Sequence, residues 1–229
     1  MQPWVLIPIR GLQAGKSRLS AVFSRQERAA FNELLLRHVM AAASAAFGPE
    51  RTVVVSACDQ ALQAARSVGV HNLRQYGGSG LNHAVTQGVA WLRAGGAGSV
   101  LVLAADLPEI VASDLSELAS QGGEGRVLLC PDKHGTGTNA LLLCEGVALR
   151  FAFGPQSCAA HCREAKRSGA TPGVCVNERI AFDIDTPEDL RCWLASGKAT
   201  APPFLDRLRD VKAETDAGNS PQAADGCRW

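Results

Sequence analysis

The 229-residue chain lacks an excess of either charge: 23 lysines and arginines stand against 22 aspartates and glutamates. It also lacks any dense run of basic residues. A broad basic face for nucleic acid is thereby excluded, and any phosphate binding must be local. No apolar stretch approaches the roughly 18 residues that a membrane helix needs, so no membrane partner is expected. Eight cysteines are present without a single Cys-x-x-Cys pair. Cys58, Cys130, Cys144, Cys158, Cys162, Cys175, Cys192 and Cys227 are scattered, most of them inside apolar runs. They read as reduced core thiols, not as a zinc or disulfide framework. Internal repeats are lacking too. Met1-Gln2-Pro3-Trp4 enters an apolar run at once, with no basic region before it and no cleavage signal after it. A cytoplasmic location is the expectation.

What is present alternates. Apolar strand-length runs occur at Pro3 to Ile9, Thr52 to Ala57, Val70 to Leu73, Ser99 to Ala105, Arg126 to Cys130 and Asn139 to Cys144, with a last short one near Val174 and Val176. Helical patterns lie between them. Ser24-Arg25-Gln26-Glu27 is a capping box before a long helix to about Phe47, with Phe31, Leu34, Leu35, His38 and Val39 on one stripe. Ser113 is expected to cap a short helix, and Thr186 another with Pro187 at its first position. Strands that are continuous apolar runs belong to a sheet buried on both faces, so an α/β three-layer domain is predicted over 1–197. Residues 198–229 are rich in Ala, Pro, Asp, Gly and Ser. They are expected to form a poorly ordered tail whose removal leaves the domain intact.

The stretch richest in chemistry is Asp183-Ile184-Asp185-Thr186-Pro187. In an extended segment, residues i and i+2 point to one side, so both carboxylates converge. Their repulsion is removed by a divalent cation, and a hard ion such as Mg²⁺ wants oxygen ligands. Thr186 already accounts for the helix cap, which leaves the two aspartates to be explained. Asp106 closes the strongest apolar run, at the strand end where α/β sheets bind ligands. Its plainer alternative is a turn cap. Three acids so placed point to metal-assisted phosphoryl or nucleotidyl transfer.

Four further segments are candidates. Arg10, Lys16, Ser17 and Arg18 form a basic loop after the first strand, suited to a triphosphate or merely solvated. It lacks the earlier glycine of Gly-x-x-x-x-Gly-Lys-Ser/Thr, so a Walker-type loop is disfavoured. His134-Gly135-Thr136-Gly137-Thr138-Asn139 offers converging N–H groups and hydroxyls to an anion, or is a hairpin turn. Phe153-Gly154-Pro155-Gln156-Ser157 is a helix entry that either binds an anion or is plainly capped by Ser157. Gly80-Leu81-Asn82 opens a helix, and the Asn82 carboxamide could read a base edge.

In this order the segments resemble the CofC-type guanylyltransferases of coenzyme F-420 biosynthesis. The resemblance rests on Ile7-Pro8-Ile9-Arg10, Lys16-Ser17-Arg18-Leu19, Gly80-Leu81-Asn82, Ala105-Asp106-Leu107-Pro108, Gly135 to Leu141, Phe153-Gly154 with Ser157 and His161, and Asp183 to Leu190. It spans about Val5 to Leu194. It implies a Rossmann-like nucleotidyltransferase fold of the GT-A type, with a mostly parallel mixed sheet. It implies that GTP and a small phosphorylated acid (2-phospho-L-lactate, phosphoenolpyruvate or 3-phospho-D-glycerate) give a guanylylated diester and pyrophosphate. Asp106, Asp183 and Asp185 would hold Mg²⁺, with Asp106, Lys16 and Arg18 catalytic. Thr138, Asn139, Gly154 and Ser157 would hold the acid's phosphate. Pro8, Arg10, Lys16, Arg18, Gly80, Leu81 and Asn82 would bind the nucleotide. The resemblance leaves room for a homodimer and for a downstream transferase that takes the unstable product. A molybdopterin or sugar-phosphate nucleotidyltransferase is the alternative. Such enzymes are expected to carry a Gly-Gly-x-Ser/Thr-x-Arg-Met loop where this chain has Arg10 to Lys16.

Overall fold

The computed structural model describes residues 2–13, 15–197 and Leu205. Among these residues seven strands are observed: β1 (Trp4–Pro8), β2 (Thr52–Ser56), β3 (His71–Arg74), β4 (Val100–Leu103), β5 (Arg126–Pro131), β6 (Thr138–Leu143) and β7 (Thr171–Val174). They form one sheet in the order β3-β2-β1-β4-β6-β5-β7. β3, β2, β1 and β4 are mutually parallel, and β5 pairs in parallel with β7. Only β6 runs against its neighbours, with Leu103 opposite Ala140. The mostly parallel mixed sheet of an α/β domain is therefore what forms.

Period two decides the layers. Val5 and Ile7 face one side of the sheet and Leu6 the other, and all three are fully buried. The first side is covered by α1 (Arg25–Phe47), α2 (Asp59–Ser67) and α4 (Ala112–Ser120). The second is covered by α3 (Leu81–Ala94) and α5 (Ser157–Arg167). α3 approaches β1 so closely that a Cβ at Gly88 would sit 2.6 Å from the Leu6 side chain. Each large side chain so buried contributes about 1.5–3 kcal/mol relative to exposure.

A third apolar cluster lies off the sheet and matters most for function. Leu19 and Phe23, Phe31 and Leu35 of α1, and Leu190 and Trp193 of α7 (Pro187–Ala195) pack around Phe182 and Ile184. Leu205 is fully buried in the same cluster. Otherwise the region read as a tail, 198–229, lies outside the described residues.

Two local expectations are corrected. The α4 cap is Val111, whose N–H is held by Asp114 at 3.0 Å; Ser113 is inside the helix. The Asp114 carboxylate reaches back to the cap N–H, which leaves Ser113 no capping role. The last strand ends at Val174, where register with Leu129 of β5 ends, and Val176 is 82 % exposed. Asp183 to Asp185 is extended without strand pairing. It is a loop between α6 (Glu178–Ala181) and α7.

Candidate active site

Parallel β1 and β4 end, and antiparallel β6 begins, at the same edge of the sheet. Pro8, Asp106 and Thr138 are therefore brought to one place by topology. The loop from Phe182 to Asp185 crosses that edge. It keeps the alternation of an extended chain without pairing. Phe182 and Ile184 are buried in the third cluster, while Asp183 and Asp185 turn to the edge. Apolar burial on one side thus fixes the carboxylates on the other. Oxygen atoms of Asp106, Asp183 and Asp185 all lie within 4.8 Å of one another.

Burial and the charges of Asp106 and Asp185 push the Asp183 carboxyl up to about 6, with Lys133 and Asn139 opposing. The Lys16 ammonium is 2.9 Å from Asp106 and 3.6 Å from Asp185. It also donates to the Ile184 carbonyl. Burial works against this ammonium, but Asp106, Asp185 and Asp183 prevail and hold its pKa above the ordinary lysine value. One cation against three carboxylates leaves a net negative, all-oxygen cluster. Those donors fit a hard divalent ion.

A cavity of about 510 Å³ opens beside the cluster, lined among others by Pro8, Arg10, Lys16, Leu81, Asp106, Thr138, Phe153 and Asp185. Seven of the fourteen expected residues line it: Pro8, Arg10, Lys16, Leu81, Asp106, Thr138 and Asp185. Arg18 does not: it is exposed on the 3-10 turn Ser17–Ala21, outside the lining. A larger cleft of about 640 Å³ between α1 and α2 holds none of the three acids.

Several of the expected residues are bonded within the protein itself. The glycine-rich loop already has its anion, the chain's own Asp132. Thr136 donates to it from the backbone at 2.8 Å, and a Cβ at Gly137 would stand 2.8 Å from its oxygen. The anion nest is filled internally. At the start of α5, the Ser157 N–H is bonded to Gly154 and the Cys158 N–H to Thr136. Ser157 is the first helical residue, with Gln156 at the cap. Its hydroxyl donates to Thr138 at 3.1 Å. Gly154 has φ 140, which a glycine adopts without strain. Asn139 turns away from the cavity and donates to the carbonyls of Ile180 and Ala181 at 3.0 and 3.2 Å, and to Asp183 at 3.4 Å. It positions the acid loop. Asn82 uses both ends of its carboxamide on the Phe153 backbone, at 2.7 and 3.0 Å. That pairing takes the donor and acceptor expected to read a base, leaving Leu81 as the lining residue of its segment.

Sequence reasoning missed Lys133. Its side chain is 5 % exposed, pairs with Asp189, donates to the Asp183 carbonyl at 2.9 Å and lies 5.5 Å over the Phe182 ring. Burial pulls the Asp189 carboxyl up. Lys133 and the N–H groups of Asp185 and Thr186 prevail, holding it below its usual range. Asp189 holds the C-terminal end of the acid loop through the N–H groups of Asp185 and Thr186, and its partner Lys133 holds Asp183. The available signal was Pro131-Asp132-Lys133, charges directly after a buried strand.

Comparison with known proteins bears on this site. The family described as guanylyl transferase CofC-like matches residues 3–222. A phosphoenolpyruvate guanylyltransferase of Rubrobacter xylanophilus is 41% identical over 198 residues, 86% of this chain and 96% of that protein. A 3-phospho-D-glycerate guanylyltransferase of Phenylobacterium zucineum is 34% identical over 80% of this chain and 86% of its own. A 2-phospho-L-lactate guanylyltransferase of Methanothermobacter thermautotrophicus is 30% identical over 91% and 92%. Among solved structures, a putative nucleotide-diphospho-sugar transferase of Desulfovibrio desulfuricans superimposes with a TM-score of 0.66 at 15% identity, covering 93% of this chain and 96% of that one. This last likeness concerns the fold alone.

Proposed function

The chain belongs to the CofC-like guanylyl transferase family and is a nucleotidyltransferase; from that premise we propose that it joins GMP from GTP to a small phosphorylated acid, releasing pyrophosphate, in coenzyme F-420 biosynthesis. Phosphoenolpyruvate is named first among the acids, because the relative at 41% identity bears it in its name. The observation that supports the reading most is the convergence of Asp106, Asp183, Asp185 and Lys16 beside one cavity at the sheet edge.

The reaction needs positioning and charge neutralisation more than covalent help. An oxygen of the acid's phosphate attacks the α-phosphorus of GTP. The new P–O bond forms as the bond to the β-phosphate bridging oxygen breaks, and pyrophosphate leaves with that electron pair. Lys16 and Arg10 face the space for the triphosphate and stabilise the leaving charge. Thr138 offers its hydroxyl to the acid's phosphate, with Ser157 and Gly154 behind it. Asp106, Asp183 and Asp185 would hold Mg²⁺. A bound Mg²⁺ supplies charge neutralisation on the reacting phosphates. Pro8 and Leu81 give the cavity an apolar wall for the nucleoside.

The test is pyrophosphate release with GTP, Mg²⁺ and each of the three acids, with ATP and CTP as controls. Release that requires GTP and one acid supports the reading and names the substrate. Release with a sugar phosphate and none of the acids would contradict it.

A further inference from the structure

His161 has no role in the reaction as derived above, yet it is fully buried directly behind the cavity wall. Its ring packs edge-on to Phe153, with centroids 4.6 Å apart. Both ring nitrogens are engaged. The Ala152 backbone N–H lies 3.0 Å from Nε2, and the Thr138 Oγ1 lies 3.1 Å from Nδ1. A backbone N–H can only donate, so Nε2 is the acceptor and carries no proton. The imidazole is therefore the neutral tautomer protonated on Nδ1, and Nδ1–H donates to Thr138. Burial lowers the His161 pKa to about 4, in keeping with this state.

The consequence is a matter of counting protons. The Thr138 and Ser157 hydroxyl oxygens are 3.1 Å apart and share one hydrogen bond. Two hydroxyls carry two protons. The bond between them uses one, and the imidazole side offers no acceptor. One hydroxyl proton must point elsewhere; Thr138 lines the cavity while Ser157 is buried outside its lining, which assigns the shared bond to Ser157 as donor and the free proton to Thr138. A site with an obligatory outward donor beside Lys16 and Arg10 suits an anionic oxygen and disfavours a neutral donor.

We propose that His161 is a positioning residue for the acid substrate: as a fixed Nδ1–H donor it turns the Thr138 hydroxyl proton into the cavity, where it binds a phosphate oxygen of the acid. The proposal rests on the guanylyl-transfer reading.

Three proteins test it: the full-length chain, His161→Asn and His161→Gln. Asparagine keeps a donor near the Nδ1 position; glutamine keeps an acceptor near Nε2 and loses the donor to Thr138. Steady-state pyrophosphate release, titrated separately in acid and in GTP, should show a KM for the acid raised roughly tenfold in His161→Gln, the effect of losing one hydrogen bond to a charged group. The KM for GTP should stay within about twofold, and His161→Asn should recover most of the acid affinity. Equal losses in both variants, or an unchanged acid KM in His161→Gln, would overturn the proposal. Long-range proton–nitrogen NMR of the unmodified protein supplies a reading that needs no variant. A neutral, Nδ1-protonated ring across about pH 5.5 to 8 is expected. An Nε2-protonated ring, or titration within that interval, would overturn it as well. Absence of turnover in the unmodified protein with every acid would strike the guanylyl-transfer reading instead, and the NMR result would stand apart from it.

Discussion

Asp183→Asn should make the metal-free protein more stable while it destroys activity. Asp183 sits between Asp106 and Asp185 and is largely out of water, and its carboxyl is pushed up to about 6 from 3.8. Because the folded-state value is raised, folding favours the protonated form. Stability from this residue is present below about pH 3.8 and is lost as pH rises through about 6. Such a shift corresponds to about 3 kcal/mol, and the part-exposed carboxyl reduces that to about 2–3 kcal/mol. Asparagine removes the charge and keeps an oxygen to accept from Asn139. At pH 7.5 without divalent ion, the melting midpoint should rise roughly 4–12 °C, at about 2–4 °C per kcal/mol for a chain of this size. Near pH 4 the gain should vanish. Mg²⁺ should raise the midpoint of the unmodified protein and leave that of the variant unchanged. Turnover should fall at least ~100-fold. Differential scanning calorimetry across pH, with and without Mg²⁺, reads all of this. A variant less stable than the parent at pH 7.5, or a gain independent of pH, would refute the electrostatic reasoning.

Other residues give further predictions. Lys133→Met leaves the buried Asp189 carboxylate without its counter-charge and should cost about 3–5 kcal/mol by urea titration, with Mg²⁺ affinity falling in parallel because Asp183 loses its tie to Lys133. Leu205→Ala should cost about 2–5 kcal/mol, since that side chain is fully buried against the third cluster; a change within error would show the contact to be unimportant. Arg10→Ala should raise the KM for GTP more than Arg18→Ala does, because only Arg10 lines the cavity; the reverse order in pyrophosphate-release kinetics would contradict the placement.

The layers and the acid triad were legible because both depend on short-range periodicity. Runs such as Val5-Leu6-Ile7 state that both faces are covered. The alternation Phe182, Asp183, Ile184, Asp185 states that apolar and acidic groups part to opposite sides, which holds even though the segment is a loop. What was illegible depends on partners distant in sequence. The glycine-rich loop reads as an anion site, and only the fold shows Asp132 filling it. Asn82 and Asn139 look free to bind ligand, but backbone groups of Phe153, Ile180 and Ala181 take their amides. Lys133 and Asp189 are 56 residues apart in sequence numbering and meet only after β6, α5 and α6 have intervened. The same holds for Leu205: composition marks its surroundings as a tail, and burial is visible only once Phe31 and Trp193 are in place.

The most direct measurement of the central claim is phosphorus NMR of the protein with GTP, phosphoenolpyruvate and Mg²⁺. Guanylyl transfer predicts that the phosphoenolpyruvate signal is replaced by the two coupled resonances of a diphosphate diester, in step with pyrophosphate. Pyrophosphate that accumulates while the phosphoenolpyruvate, phospholactate and phosphoglycerate signals each stay unchanged would contradict it, as would folded protein that consumes none of them.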